Sequence, residues 1–134
     1  MKDDKQGAET ILFVDDDVGL VNVMKTMLSS LGYRSICFTN SEEAFKTFHK
    51  VADVFDCVIV DMIMPEINGL TLAGMMKEIR PDIPIIMVTG FRERINMQQA
   101  EEVGIIDFMD KPIKRDLLAA SIRRAIDQRS EHIS

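Results

Sequence analysis

Apolar residues fall along this chain in two alternating patterns. Short continuous runs are Ile11-Leu12-Phe13-Val14, Ile36-Cys37-Phe38, Cys57-Val58-Ile59-Val60, Ile85-Ile86-Met87-Val88 and the mixed run Ile105 to Met109. Between them lie longer stretches in which apolar residues recur every three or four positions. A continuous apolar run of roughly four to eight residues reads as a strand buried on both faces, and the wider spacing as a helix with one buried face. The pattern predicts strands over Thr10 to Val14, Tyr33 to Phe38, Cys57 to Asp61, Pro84 to Val88 and Ile105 to Met109.

The helices follow from the same pattern. Val18 to Leu31 lines up Leu20, Val21, Met24, Met27, Leu28 and Leu31, and Gly32 suits the stop. Asn40 or Ser41 can cap the second helix, with Glu43 near its N3 position and Ala44, Phe45 and Phe48 inward. After Pro65 and the turn pair Asn68-Gly69, a third helix carries Leu70, Leu72, Met75, Met76 and Ile79 and ends before Pro81. Arg92 to Val103 reads as a weakly apolar fourth helix closed by Gly104. Lys114 to Arg129 reads as the last, with Leu117, Leu118, Ile122 and Ile126 inward.

Five strands alternating with five helices imply right-handed βαβ units: a doubly wound α/β sheet, parallel, with helices on both faces. Of the two common orders, 2-1-3-4-5, the flavodoxin-like one, suits five strands. The expected organisation is a flexible N-terminus over residues 1–9, one domain over 10–129, and a fraying tail over 130–134.

Composition narrows the function. The chain has 134 residues, enough for one core. Sixteen basic against 22 acidic residues give a net charge of −6, which argues against a nucleic-acid-binding surface. No apolar run approaches the roughly 20 residues of a membrane span, and the polar start lacks the core of a signal peptide, so the cytoplasm is the expected location. Cys37 and Cys57 form no metal-ligand pattern. They fall on strands two and three, which flank strand one, roughly 9–10 Å apart and beyond disulfide reach.

The chemistry lies at the strand exits. Strand one delivers Asp15 and Asp16, strand three Asp61, strand four Thr89 and strand five Lys111. Taken singly, each has an ordinary explanation: Asp16 or Asp17 as a helix cap, Asp61 as a cap or turn residue, Thr89 as a turn residue, Lys111 as a solvated charge. A parallel sheet puts all the exits on one edge, and in the 2-1-3-4-5 order the chain reverses direction between strands one and three. The acids therefore meet. Like charges at 4 Å cost about 4 kcal/mol at an effective dielectric of 20, so the cluster needs a cation. Oxygen ligands without His or Cys suit Mg²⁺, which usually also holds phosphate. Lys111 and the Thr89 hydroxyl suit phosphoryl oxygens, which leaves Asp61 as a nucleophile that forms an acyl phosphate.

These residues resemble a known family. Leu12-Phe13-Val14-Asp15-Asp16-Asp17, Val60-Asp61-Met62-Ile63-Met64-Pro65 with Gly69, Thr89-Gly90 and Asp110-Lys111-Pro112 stand in the order and spacing of a response-regulator receiver domain, over residues 10 to about 128. The resemblance implies that Asp61 is the phosphoacceptor. It implies that Asp16, Asp61 and the Ile63 carbonyl hold Mg²⁺ directly, with Asp15 acting through water. It implies that Thr89 and Lys111 sense the phosphoryl group, that Phe108 is the switch aromatic, and that the bond before Pro112 is cis. The expected function is a phosphorylation-dependent switch that catalyses only its own Mg²⁺-dependent phosphorylation and dephosphorylation. Its expected partners are a histidine kinase or histidine phosphotransfer protein and a downstream effector.

Three other readings compete. A haloacid-dehalogenase-like phosphohydrolase needs an acid two residues after its nucleophile, where this chain has Ile63. A docking module that keeps only the fold would have lost an acid, the threonine or the lysine, and none is lost. A flavodoxin needs a phosphate loop after strand one, where three acids stand here. The resemblance further implies that Ile63 and Phe91 flank the path of the hydrolytic water. Both are apolar and bulky, so the expected acyl phosphate is long-lived. Dimerising relatives carry an acid before the switch aromatic and an arginine in the last helix. Asp107 matches the acid, but the arginine position falls at Ala120 or Ser121, so a monomer is expected before phosphorylation. A stand-alone regulator and a receiver cut from a longer protein both remain open.

Overall fold

The computed structural model describes residues 8–90 and 96–133, with 129–133 as backbone only. Strands β1 (Thr10–Val14), β2 (Arg34–Phe38), β3 (Cys57–Asp61), β4 (Ile85–Thr89) and β5 (Ile105–Asp110) alternate with helices α1 (Val18–Ser30), α2 (Ser41–Val51), α3 (Gly69–Ile79), α4 (Met97–Val103) and α5 (Arg115–Ile133). A short 3₁₀ turn, Ala52–Val54, follows α2 and was not expected from the apolar pattern. The last helix runs to Ile133.

Four helices start by one device. Asp17, Asn40, Asn68 and Asn96 stand in extended backbone just before α1, α2, α3 and α4. Each side-chain oxygen accepts the N–H three residues on, from Leu20 at 3.1 Å, Glu43 at 2.9 Å, Thr71 at 2.9 Å and Gln99 at 3.0 Å. A cap of this kind contributes about 1 kcal/mol and fixes where the chain leaves the strand edge. Asn40, not Ser41, is the cap of α2.

The five strands form one parallel sheet in the order 2-1-3-4-5. Strands β1, β3 and β4 are buried throughout, which is why they read as unbroken apolar runs. Alternate residues feed opposite layers. Ile11, Phe13, Cys57, Ile59, Ile86 and Val88 pack against α1 and α5. Leu12, Val14, Val58, Val60, Ile85 and Met87 pack against α2 and α3. The edge strands β2 and β5 are only partly covered.

The inward stripe of α5 differs from expectation. Leu118, Ile122 and Ile126 are buried, but Leu117 is 62% exposed and Ser121 takes a buried place. Among the described residues, no helix is long and apolar enough to cross a membrane.

Both cysteines are free. Cys37 pairs in register with Phe13 and Cys57 with Ile11, so the two are offset along the sheet as well as separated by β1. Burial pushes the Cys57 thiol up to about 12, where it is inert toward oxidants at neutral pH. Thiol titration of the denatured, unreduced protein is expected to count two free thiols per chain; a count of zero contradicts the strand order.

Candidate functional site

Three consecutive acids leave β1 and take three different places. Asp15 is fully buried, and its Oδ1 accepts the N–H of Asp17 at 2.9 Å. Asp16 is exposed. Asp17 caps α1 and takes no further part. Val14 and Val60 are register partners, so Asp15 and Asp61 leave adjacent strands side by side. The carboxylates of Asp15, Asp16 and Asp61 each offer an oxygen within 4.8 Å of the other two.

Asp61 is held from behind by Gly69. The Gly69 N–H donates to the Met62 carbonyl at 2.8 Å, which brings the start of α3 onto the end of β3. A Cβ at Gly69 would stand 2.1 Å from the Asp61 carbonyl oxygen and 2.8 Å from the Met62 Cα. Those neighbours are backbone and cannot swing aside, so only glycine lets the two segments close.

Lys111 is the counter-charge. Its Nζ lies 3.0 Å from Asp15 Oδ2 and 3.3 Å from Asp61 Oδ1. The Lys111–Pro112 bond is cis, as the resemblance implies. The Lys111 N–H donates to the Thr89 carbonyl at 2.9 Å, which ties the lysine to the end of β4, where Thr89 is 1% exposed. Burial alone would lower the Lys111 ammonium, but contact with Asp15 and Asp61 raises it, so it stays charged. Burial first, and the charge of Asp15 second, push Asp61 up to about 6 despite the lysine.

Lys111 thus pairs with two buried carboxylates, and the exposed Asp16 adds a third negative charge beside them. Asp15 Oδ2 is buried and accepts no directed hydrogen bond; the ammonium at 3.0 Å is its compensation. An all-oxygen donor set of three carboxylates with surplus negative charge fits a hard divalent cation such as Mg²⁺.

The remaining expected residues are placed as follows. Ile63 is 49% exposed and lines a cleft of about 260 Å³ with Met62, Met64, Asn68, Leu70, Asn96 and Gln99. Phe91 lies outside the described residues. Phe108 is partly buried and packs against the apolar cluster on the α2 and α3 side of the sheet. Asp107 does meet an arginine of the last helix, but it is Arg124 of its own chain, joined by the Ser121 hydroxyl at 2.6 Å. The position expected for the dimer arginine is Ala120 or Ser121, and Arg124 stands outside it. Ser121 was legible as a polar residue on an apolar helical stripe, a position that requires a partner.

Comparisons with known proteins agree with this geometry. Residues 11–123 match the family described as response regulator receiver domain. The chain is 34% identical over 125 residues to a probable transcriptional regulator ycf27 of Guillardia theta, covering 92% of this chain and 47% of the relative. It is 29% identical over 119 residues to the response regulator protein TodT of Pseudomonas putida, covering 89% and 52%. The chain thus spans about half the length of the curated relatives it matches. Among solved structures, a response regulator receiver domain protein from Clostridium thermocellum superposes with a TM-score of 0.86 at 27% identity, covering 91% of this chain and 97% of that one. The receiver domain of sensor histidine kinase PA1611 from Pseudomonas aeruginosa, described with a magnesium ion coordinated in its active site cleft, shares the fold with a TM-score of 0.81 at 24% identity over 90% of this chain and 99% of that one.

The raised Asp61 carboxyl has a consequence for stability. The native state holds this proton more tightly than the unfolded chain, whose aspartates titrate near 3.9. Metal-free stability is therefore highest below about pH 4 as far as Asp61 is concerned, and that part is lost as pH rises through about 6. Asp61→Asn removes the penalty. Without metal the variant is expected to melt several degrees above wild type at pH 7.5, worth about 2–3 kcal/mol, with the gap closing toward pH 4. Thermal melts in chelator across that range check it, and a variant no more stable at pH 7.5 contradicts it.

Proposed function

The chain belongs to the response regulator receiver domain family, and on that premise we propose that Asp61 is the residue that takes up the phosphoryl group. The observation that carries this is the pairing of Asp61 with both Asp15 and Lys111 at one strand edge. Receiver domains of this kind are switches of two-component signalling. The phosphodonor fitting this reading is a histidine kinase or a histidine phosphotransfer protein.

Asp16, Asp61 and the Ile63 carbonyl would hold Mg²⁺, with Asp15 acting through water. Bound there, the ion supplies neutralisation of phosphoryl-oxygen charge. The rest belongs to the chain itself. An Asp61 oxygen forms the new bond to phosphorus as the donor's bond to phosphorus breaks. Lys111, already charged and already seated between the carboxylates, balances the incoming negative charge. The Thr89 hydroxyl sits at the adjacent strand end and donates to a phosphoryl oxygen. Phosphoryl-transfer catalysis is largely such positioning and charge balance. Phe108 follows the rearrangement and reports it to the surface of β5 and α5. The net charge of −6 speaks for this segment alone; longer relatives include transcriptional regulators. A monomer before phosphorylation fits an Asp107–Arg124 pair made within the chain.

Acetyl phosphate with millimolar Mg²⁺ is expected to add one phosphoryl group by mass to wild type and none to Asp61→Asn. The same Mg²⁺ is expected to raise the melting temperature of wild type and not of Asp16→Asn. Modification of Asp61→Asn at the wild-type rate refutes the acceptor assignment.

The acyl phosphate is proposed to be long-lived, because the Ile63 and Phe91 side chains offer no hydrogen bond to a hydrolytic water. With donor removed and Mg²⁺ present, Ile63→Asn or Phe91→Glu is expected to shorten the half-life several-fold. Unchanged decay in both variants removes these side chains from control of the water.

A further inference from the structure

Strand β5 carries an irregularity beside the site. Ile85 pairs with Ile105, but Ile86 pairs with Asp107, so Ile106 is an extra residue without an opposite number on β4. A bulge of this kind re-aims the side chains that follow it. Ile106 packs with the α1 and α5 layer, Phe108 with the α2 and α3 layer, and Met109 with the first layer again. Strict alternation from Ile106 would have put Phe108 on the same side as Ile106. The bulge is what sends the Phe108 ring to the opposite layer.

One carboxylate pins this bulge. Asp107 Oδ1 accepts the N–H of Phe108 at 2.9 Å, immediately after the extra residue. Asp107 Oδ2 accepts from the Ser121 hydroxyl at 2.6 Å and from the Arg124 guanidinium. Ser121 is 2% exposed, a buried hydroxyl with its partner supplied by the strand. Both oxygens of Asp107 are thus committed, one to the backbone of the bulge and one to α5.

Apolar packing of Leu118 and Ile122 in the layer with Met109 holds the inner face of α5, and the bonds from Asp107 tie the side that carries Ser121 and Arg124. β5 is an edge strand whose residues Ile105 to Phe108 are only partly buried. A cavity of about 420 Å³ lies between β5 and α5, and Asp107, Phe108, Leu117, Ala120, Ser121 and Arg124 are among the residues that line it. Contact across that gap is polar at Asp107 and open around it.

We propose that Asp107, Ser121 and Arg124 form a latch that seats α5 on the bulged end of β5 and fixes the layer in which the Phe108 ring lies. Releasing the latch frees the bulge to resolve, and the ring, which already borders the β5–α5 cavity, is then no longer held in the α2 and α3 layer. Asp107, Ser121 and Arg124 are positioning residues: they touch neither the carboxylate cluster nor the phosphoryl group. The latch deepens the reading of Phe108 as the aromatic that follows the state of Asp61, and it rests on that reading for its role in signalling.

The test uses Phe-labelled full chain, observed by NMR without ligand and with Mg²⁺ and beryllofluoride, a phosphoryl mimic. In Asp107→Ala, Ser121→Ala and Arg124→Gln, the Phe108 ring resonance of the unliganded protein is expected to move. Amide exchange at Phe108 and along the α5 segment from Leu117 to Arg124 is expected to quicken at least tenfold. Beryllofluoride affinity is expected to change at least threefold, and Arg124→Lys to restore much of each effect. Mg²⁺ affinity stays as in wild type, which separates the latch from damage to the acid cluster. If Asp107→Ala does not fold, the two α5 variants decide, since each removes one bond at a side-chain tip. Wild-type ring position and exchange in both α5 variants overturn the proposal. Failure of wild type to bind beryllofluoride overturns the reading of Asp61 instead, while exchange in the unliganded variants still judges the latch.

Discussion

Two carboxylates held together out of water, with one ammonium between them, set the terms for the rest of this molecule. Asp15 is fully buried and Asp61 nearly so, and Asp16 adds a third charge within 4.8 Å. Repulsion between such groups is worth several kcal/mol per pair before screening. A flexible scaffold would relieve it by letting the strand ends part. Here β1 and β3 are neighbours in a sheet whose central strands are buried on both faces. The charge conflict is therefore held in place by backbone pairing and two apolar layers. Asp61 absorbs part of the conflict by holding its proton to about pH 6, and Lys111 absorbs another part by staying charged. The acid cluster that fits a hard cation is thus assembled by the fold itself.

Much of this was legible in the sequence, for one physical reason. A strand buried on both faces must be apolar throughout, so a lone polar residue at its end is conspicuous. Val14 to Asp15, Val60 to Asp61 and Val88 to Thr89 are such junctions, and a parallel sheet brings all of them to one edge. The strand order followed from alternation with helices. The glycine at 69 belonged to the pattern, but its purpose did not. Only the structure shows that α3 closes on the Asp61 carbonyl so tightly that a Cβ has no room.

What escaped sequence reading sits where periodicity breaks or where burial is partial. The bulge at Ile106 leaves no trace in an apolar pattern, because Ile105, Ile106 and Phe108 are apolar on either side of the sheet. Leu117 matches the helical period and yet faces out, because the β5–α5 gap leaves it without a neighbour to pack on. Ser121 occupies a buried place that a leucine would suit by period alone, since Asp107 meets its hydroxyl. The arginine expected near Ala120 or Ser121 stands about one turn later, at Arg124, and turns inward on its own chain. Spacing in sequence could not choose between these, because the choice depends on how far α5 stands off an edge strand.

That standoff links the charge cluster to the surface. Lys111 answers to two acids, and its backbone N–H also bonds the Thr89 carbonyl at the neighbouring strand end. It is also the residue at which β5 leaves the sheet. Any change in charge at Asp61 alters the balance on the Lys111 ammonium, and the pull acts along β5. Of the strands beside the site, β5 is the least buried and is paired on one side only. β1, β3 and β4 have close-packed layers on both faces and cannot yield without opening the core. β5 has a bulge, a cavity and one carboxylate tie to α5 four residues before the lysine. The stiff side of the site holds the acids together, and the yielding side carries the lysine that reads them. On the reading that Asp61 takes up the phosphoryl group, the change of charge acts on the β5–α5 edge, where Phe108 faces one layer and Asp107 ties the strand to α5 on the other.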